Sequence, residues 1–176
     1  ESPAVAAHGD RFVIRRYSPA RTLGGGIVLD PQPHKHRPRR PEVLATLSEL
    51  DTENADAPME PFLRTAEAEG RTAMELAHLL GAGVDGVSAG LQQLLETGRA
   101  ACFEDRGTDR FLHDEAWTAL KGAILDTLAA FHQAEPLKTG IGREPLRQQA
   151  TPRCPQAVYD AALEHLVGEG RVRTQA

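Results

Sequence analysis

The residues whose types and spacing could do chemistry are basic side chains in two stretches, and the chemistry is the binding of phosphate groups. The first stretch alternates proline with positive charge and contributes Lys35, Arg37, Arg39 and Arg40. The second surrounds a predicted short helix and the last residues, with Arg143, Arg147, Arg153, Arg171 and Arg173. Such side chains neutralise phosphates and bind RNA or DNA in a salt-dependent way. Each set has an alternative: a solvated linker for the first, and ion pairs with acidic neighbours for the second.

Catalysis, metal binding and nucleotide binding find no support in the residues. The chain has no Gly-x-x-x-x-Gly-Lys-Ser/Thr phosphate loop, and glycines 24–26 lead into a predicted strand rather than a helix, which favours hairpin geometry. Cys102 is predicted to be a buried, inert thiol on a strand. Cys154 lies beside Arg153, whose charge could lower the pKa of the thiol, but no base accompanies it. We therefore expect no catalytic residue, metal site or cofactor in this chain.

Charge is distributed unevenly along the sequence. Residues 1–40 carry eight Lys or Arg against three Asp or Glu (+5), residues 41–113 five against fourteen (−9), and residues 114–176 seven against eight (−1). The middle range should repel a phosphate backbone, so RNA contact is expected outside it. No apolar run approaches the roughly 20 residues that span a bilayer, and two distant cysteines suit a reducing cytoplasm.

The elements that must position these side chains begin with two predicted strands, residues 11–17 and 26–30, rich in β-branched and aromatic residues. A lone strand pair is marginal in water, so residues 1–30 are expected to be the last piece of a sheet whose other strands precede residue 1. Residues 31–40 are predicted to be an extended basic linker, because proline blocks both helix and sheet hydrogen bonding.

After the linker the spacing of apolar residues becomes helical, and the order of elements predicts a winged helix twice. Residues 41–113 are predicted as winged helix one, with helices near 43–50, 58–69, 72–80 and 85–97 and a strand pair at 99–113. Residues 114–176 are predicted as winged helix two with an incomplete wing, comprising helices near 115–133, 144 and 155–167 and a strand entered at Arg171. Residues 94–100 align with 166–172 at a shift of 72, and Leu94 is expected in the core. The fold class is thus α+β and mostly helical.

Two segments carry a resemblance to a known family. The first, Asp10-Arg-Phe-Val-Ile-Arg-Arg-Tyr-Ser-Pro with Thr22-Leu-Gly-Gly-Gly-Ile-Val-Leu-Asp-Pro, resembles the closing hairpin of the third, β-barrel domain of bacterial selenocysteine-specific translation elongation factors. The second, Leu137-Lys-Thr-Gly-Ile-Gly-Arg-Glu-Pro-Leu-Arg, resembles the entry to the second helix of that family's second winged helix. Pro145 replaces an acidic residue there, which a first helical turn tolerates. Elsewhere the chain resembles the family in the order of its predicted elements more than in its residue types.

What the resemblance implies is a translation factor of the cytoplasm. The family binds GTP and selenocysteyl-tRNA through N-terminal domains, carries four C-terminal winged helices of which the last two read an mRNA hairpin, and serves the ribosome at UGA codons. This chain resembles the end of domain three plus winged helices one and two. It is therefore expected to be a structural spacer with weak or no nucleic-acid binding of its own, while GTP and Mg²⁺ belong to the GTPase domains.

Two other classes of protein stay open at this point. A DNA-binding transcriptional regulator can be built from tandem winged helices, but the candidate reading helix at 85–97 has no Lys or Arg and lies in the acidic range. A protein-interaction adaptor would use that acidic range to dock a partner.

Overall fold

The computed structural model describes residues 5–33, 40–51 and 59–174, and the chain folds as two compact units. The first unit lies within Glu1–Phe62 and Ala73–Gly90, and the second within Leu63–Thr72 and Leu91–Ala176. Helices dominate and the sheets are small and antiparallel, which confirms the predicted α+β class. The boundaries predicted for the linker and for the two winged helices stay predictions.

The first unit begins with an antiparallel hairpin of β1 (Arg11–Arg16) and β2 (Arg21–Ile27). The second predicted strand, 26–30, was placed too late, because the three glycines lie inside β2 and pair with Phe12, Val13 and Ile14. A Cβ on Gly25 would come 2.5 Å from the Phe12 carbonyl oxygen, and one on Gly26 would come 2.9 Å from the Phe12 ring. The glycines therefore make room for the facing strand and its aromatic ring, which is a structural role.

Four helices follow: α1 (Pro41–Leu50), α2 (Met59–Thr65), α3 (Ala73–Leu80) and α4 (Val84–Glu96). Three of them confirm the predicted helices, while the predicted helix 58–69 is interrupted after Thr65 and continues as a 3-10 turn at Glu67–Glu69. α3 ends at Gly81, whose φ of 61° lets the chain turn toward α4. A Cβ on Gly90 of α4 would come 2.6 Å from the Met59 side chain, so the glycine allows close packing of α4 on α2.

The second unit contains a three-stranded antiparallel sheet and three helices. β3 (Arg71–Thr72) pairs with β5 (Thr108–His113), which pairs with β4 (Ala100–Asp105). The helices are α5 (Asp114–Ala134), α6 (Arg143–Ala150) and α7 (Gln156–Gly168). The β4–β5 wing and the three helices confirm the predicted order. The predicted strand at Arg171 is wrong for the described residues, which end at 174, because no strand pairing forms there. Instead the amide of Val172 donates to the Leu166 carbonyl at 3.3 Å.

One hydrophobic core unites the wing with the helices that follow it. Leu112 of β5 is fully buried with apolar residues of all three helices: Leu120, Ile124, Leu146, Val158, Tyr159, Ala162, Leu163 and Leu166. Phe103 of β4, Trp117 and Val172 pack against this cluster. β5 runs directly into α5, where the buried His113 caps the helix by accepting a hydrogen bond from the Glu115 amide at 3.3 Å. Leu94, expected in the core, is only half-buried.

Truncation of Leu166 to alanine should lower the free energy of unfolding by about 2–5 kcal/mol, because it removes a fully buried side chain from this core. The matched control is the next residue, Val167→Ala, which is 37% exposed and should cost well under half as much. Urea unfolding followed by circular dichroism measures both, and equal effects of the two substitutions would contradict the assigned core.

Candidate nucleic-acid interface

The basic residues predicted to contact RNA fall into three structural situations. Lys35, Arg37 and Arg39 lie outside the described residues, and Arg40 is exposed immediately before α1. Arg143 and Arg147 lie one turn apart on α6. Arg153, Arg171 and Arg173 are exposed outside helices. The structure therefore separates the second predicted stretch into residues with acidic partners and residues without.

Arg147 is held by the fold itself. Its Nε and Nη2 atoms donate to the two carboxylate oxygens of Glu144 at 2.9 and 2.7 Å, and its Nη1 donates to the Cys154 carbonyl at 3.1 Å. Only 18% of the side chain is exposed. Such a two-pronged contact is the strongest form of arginine–carboxylate pair, and here it ties α6 to the turn before α7. Glu144 already takes two of the five N–H donors of this guanidinium and neutralises its charge, so a phosphate would compete with Glu144.

The pair with Arg147 also changes the pKa of the Glu144 carboxylate. Hydrogen bonds from Arg147 and then Gln148, whose amide lies 2.7 Å from Glu144 Oε1, lower the pKa of Glu144 from 4.5 to about 2. The pair is exposed to water, so its contribution to stability is small. Its role is to fix the start of α6.

Arg143 has an acidic partner but is held less tightly than Arg147. Its Nη1 lies 3.8 Å from Asp160 Oδ1, with 58% of the arginine side chain exposed, so this ion pair is loose and still leaves donors available. The backbone carbonyl of Arg143 accepts a hydrogen bond from the Tyr159 hydroxyl at 3.3 Å, which fastens α6 to α7. The backbone at this position is structural, and the guanidinium group is largely free to meet solvent.

Arg153, Arg171 and Arg173 have no acidic partner within the described residues, and all three are exposed. Arg153 lies in the turn between α6 and α7. Arg171 and Arg173 flank Val172, which packs on the core, and both are exposed. These three side chains are exposed and, unlike Arg143 and Arg147, have no acidic partner among the described residues.

The helices that would enter a nucleic-acid groove are poorly suited to that role. Neither α4 nor α7, the second helix of each predicted helix-turn-helix, contains Lys or Arg. α4 exposes Asp85, Gln92 and Glu96, and α7 exposes Gln156 and Glu164. Base reading in the major groove needs donors and positive charge on such a helix. The exposed arginines of the second predicted stretch lie outside these two helices, on α6, in the turn before α7 and after α7.

The environments of the two cysteines differ from those considered in the sequence analysis. Cys102 is exposed rather than buried, because the alternation along β4 turns Phe103 toward the core and Cys102 away from it. Cys154 is buried, and burial raises the pKa of its thiol to about 12, outweighing the nearby positive charge of Arg147. A positive charge that could lower the pKa of this thiol is therefore present, but burial of the anionic form costs more than this charge returns.

Sequence reasoning gave no role to His8, which the structure places among three elements of the first unit. Its Nδ1 lies 2.7 Å from the Leu29 carbonyl, its amide donates to the Leu79 carbonyl at 2.8 Å, and its ring packs on Phe62. A single histidine in an alanine-rich segment carries no periodic signal that could have revealed this. Across residues 5–33, 40–51 and 59–174, no group of three or more His, Cys, Asp or Glu is arranged to hold a metal ion, and no helix could span a membrane.

Family models of known proteins match both ends of the chain. Residues 1–35 match the family model described as selenocysteine-specific elongation factor, beta-barrel domain, and residues 125–176 match the one described as elongation factor SelB, winged helix. The chain is 29% identical over 177 residues to a selenocysteine-specific elongation factor of Desulfomicrobium baculatum, and 28% identical over 178 residues to that of Escherichia coli K12. Each alignment covers 99% of this chain and 27% of the relative, so the chain spans about a quarter of their length.

The Glu144–Arg147 pair should make stability depend on pH on the acid side. Because the pKa of Glu144 is lowered in the folded state, its contribution is complete above the unfolded pKa near 4.5 and is lost as the pH falls toward about 2. Glu144→Gln should therefore be less stable than the parent above pH 5, with the difference disappearing by pH 2.

Urea midpoints at several pH values measure this difference, with Glu164→Gln on the exposed side of α7 as the control for losing one surface carboxylate. A stability difference between parent and Glu144→Gln that stays constant from pH 6 to pH 2 would contradict the assigned pair.

Proposed function

We propose that this chain, whose two ends match domain models of selenocysteine-specific elongation factors, is the part of such a factor that connects its tRNA-delivering end to its mRNA-reading end. The support is the order of the two matched domains, β-barrel then winged helix, in one chain that resembles two curated factors along 99% of its length. The role we assign to this part is mechanical: it holds the two ends at a fixed separation.

The observation that carries the mechanical role is the shared core of the second unit. The wing strands β4 and β5, predicted to belong to winged helix one, bury Leu112 and pack Phe103 with the helices predicted for winged helix two. A hinge between His113 and Asp114 would have to expose that core, and each fully buried leucine is worth about 2–5 kcal/mol when truncated. The junction therefore favours a stiff connection over a flexible one.

The chemistry of such a factor is assigned elsewhere. We place the binding of GTP, Mg²⁺ and selenocysteyl-tRNA outside this chain, because its 176 residues contain no phosphate loop. The mRNA hairpin is likewise assigned to other winged helices, because α4 and α7 lack basic residues. Delivery of the tRNA to the ribosome at UGA codons, in the cytoplasm, is the activity to which a spacer of this kind contributes.

A weak contact with an RNA backbone accompanies the spacer role. The support comes from Arg153, Arg171 and Arg173, which are exposed and have no acidic partner in the described part of the chain. Arg40 and the neighbouring basic residues of the predicted linker contribute positive charge. Arg147 is excluded from this set because Glu144 and the Cys154 carbonyl occupy its donors. Phosphate contacts of this type supply affinity without sequence preference.

The spacer role predicts that flexibility at the junction abolishes function without affecting the GTPase. In a full-length factor carrying this chain, a short Gly-Ser insertion between His113 and Asp114 should strongly reduce read-through of a UGA reporter that carries the mRNA hairpin. GTP hydrolysis and tRNA binding should be unchanged. The same insertion between Arg106 and Gly107, in the exposed turn of the wing, is the control and should be tolerated.

Circular dichroism of both inserted proteins verifies that they fold. Full read-through with a folded protein carrying the insertion at the junction would refute the spacer role.

The RNA contact predicts a salt-dependent effect of three arginines. Replacing Arg153, Arg171 and Arg173 together by alanine should weaken binding of this chain to an RNA hairpin and flatten the plot of log K against log salt by about 2–3 units. Lys121→Ala with Lys138→Ala removes positive charge from the same unit and should change the slope little. Filter binding at several salt concentrations measures both variants.

Unchanged binding in the triple variant would contradict the contact. Tight, sequence-selective binding to duplex DNA would instead favour a transcriptional regulator.

A further inference from the structure

We infer that His8 locks the β1–β2 hairpin onto α2 and α3 of the first unit, so that this direct contact orients the hairpin. This inference concerns the fold of the first unit and does not depend on the proposed function. Its contacts come from three separate elements, and each has a physical reason.

The backbone contact completes the end of a helix. Leu79 lies in the last turn of α3, where carbonyl groups have no partner within the helix. The Ala82 amide returns to Ala77 at 3.0 Å, and the His8 amide donates to the Leu79 carbonyl at 2.8 Å. A residue from before β1 thus acts as a cap for α3.

The close approach of the two segments depends on a small residue on each side. Gly81 follows α3 with a φ of 61°, and a Cβ built on it would come 3.0 Å from the Cβ of Ala7. Neither position has room for a larger side chain without displacement. The segment Ala7–His8 therefore lies directly against the end of α3.

The side chain of His8 reaches the other two elements. Its Nδ1 lies 2.7 Å from the Leu29 carbonyl, which can only accept, so Nδ1 carries the proton of this hydrogen bond. The ring meets Phe62 of α2 edge to face, with centroids 5.8 Å apart and planes at 82°. Phe62 is only 3% exposed, so this contact is an extension of the core.

The same segment is a continuation of the hairpin. The Gly9 amide donates to the Val28 carbonyl and the Val28 amide to the Asp10 carbonyl, both at 2.8 Å. The Asp10 carboxylate accepts from the Ala7 amide at 2.8 Å. Because Gly9 and Asp10 continue the hairpin ladder and His8 caps α3, a rotation of the hairpin relative to α3 would break both the cap and the His8 ring contact. In the proposed factor, movement of the β-barrel would then be passed directly to the first winged helix.

The experiment measures a distance within the first unit. Spin labels are attached to Tyr17→Cys at the hairpin turn, which is 99% exposed, and to Met74→Cys on α3, which is 62% exposed, in a Cys102→Ser background. Cys154 is buried and stays unlabelled. We expect one narrow distance distribution in the parent, and a distribution at least twofold broader in His8→Ala.

Two variants separate the lock from general damage. His8→Asn retains a side-chain donor near the Nδ1 position and should restore most of the narrow distribution. His132→Ala removes an exposed histidine from α5 and should have no effect. Circular dichroism checks that each variant is folded. A broad distribution in the parent, or an unchanged narrow one in folded His8→Ala, would overturn the inference.

A second measurement needs no variant. The His8 amide should exchange with deuterium at least tenfold more slowly than the same amide in an unfolded peptide, because it is bonded to Leu79. Exchange at the rate of the free peptide would overturn the lock even if the substitutions proved too disruptive to interpret. Neither outcome bears on UGA read-through, so failure here is distinguishable from failure of the spacer role.

Discussion

The burial of Leu112 between a sheet and three helices is the constraint on which the second unit depends. Aromatic residues make up only 5% of the sequence, so the core has to be assembled from leucine, valine and alanine at close spacing. Leu112 joins β5 to the buried faces of α5 and α7, and the continuous passage from His113 into α5 leaves no loop that could relax the arrangement. The end of the wing that leads into α5 is therefore part of the core, while its turn is exposed.

This use of the wing bears on what the winged-helix architecture does here. A winged helix that reads a nucleic acid keeps its second helix and its wing available to a groove. In this chain one face of α7 packs in the core and the other exposes glutamine and glutamate, while Phe103 of the wing strand β4 packs against the core. The order of elements is that of a winged helix, but one face of the second helix and part of the wing are buried in the core. Exposed positive charge lies outside α7, on residues such as Arg153 and Arg171.

Much of the fold could be predicted from the sequence because periodicity and turn residues are local signals. α3, α5 and α7 follow directly from apolar spacing, and the family resemblance at both ends was confirmed by the matched domains. The errors arose where a distant partner decides the outcome. The glycines of β2 form a strand because Phe12 lies across them, and Cys154 has a raised rather than a lowered pKa because helices from elsewhere bury it. The partners of Arg147 and the contacts of His8 also depend on tertiary structure. The sequence alone therefore could not show that Arg147 is paired with Glu144 while Arg153 is exposed.

The shared core also fixes the order in which the second unit can form during synthesis. The strands β4 and β5 leave the ribosome before α5, and the last large contributor to the core, α7, follows only at residues 156–168. Until then Phe103 and Leu112 have no helix α7 to cover them, and the sheet alone buries too little to be stable. Contacts between residues so far apart in sequence close slowly, since the intervening chain must first be ordered. The core of the second unit is thus complete only after α7 has been synthesised.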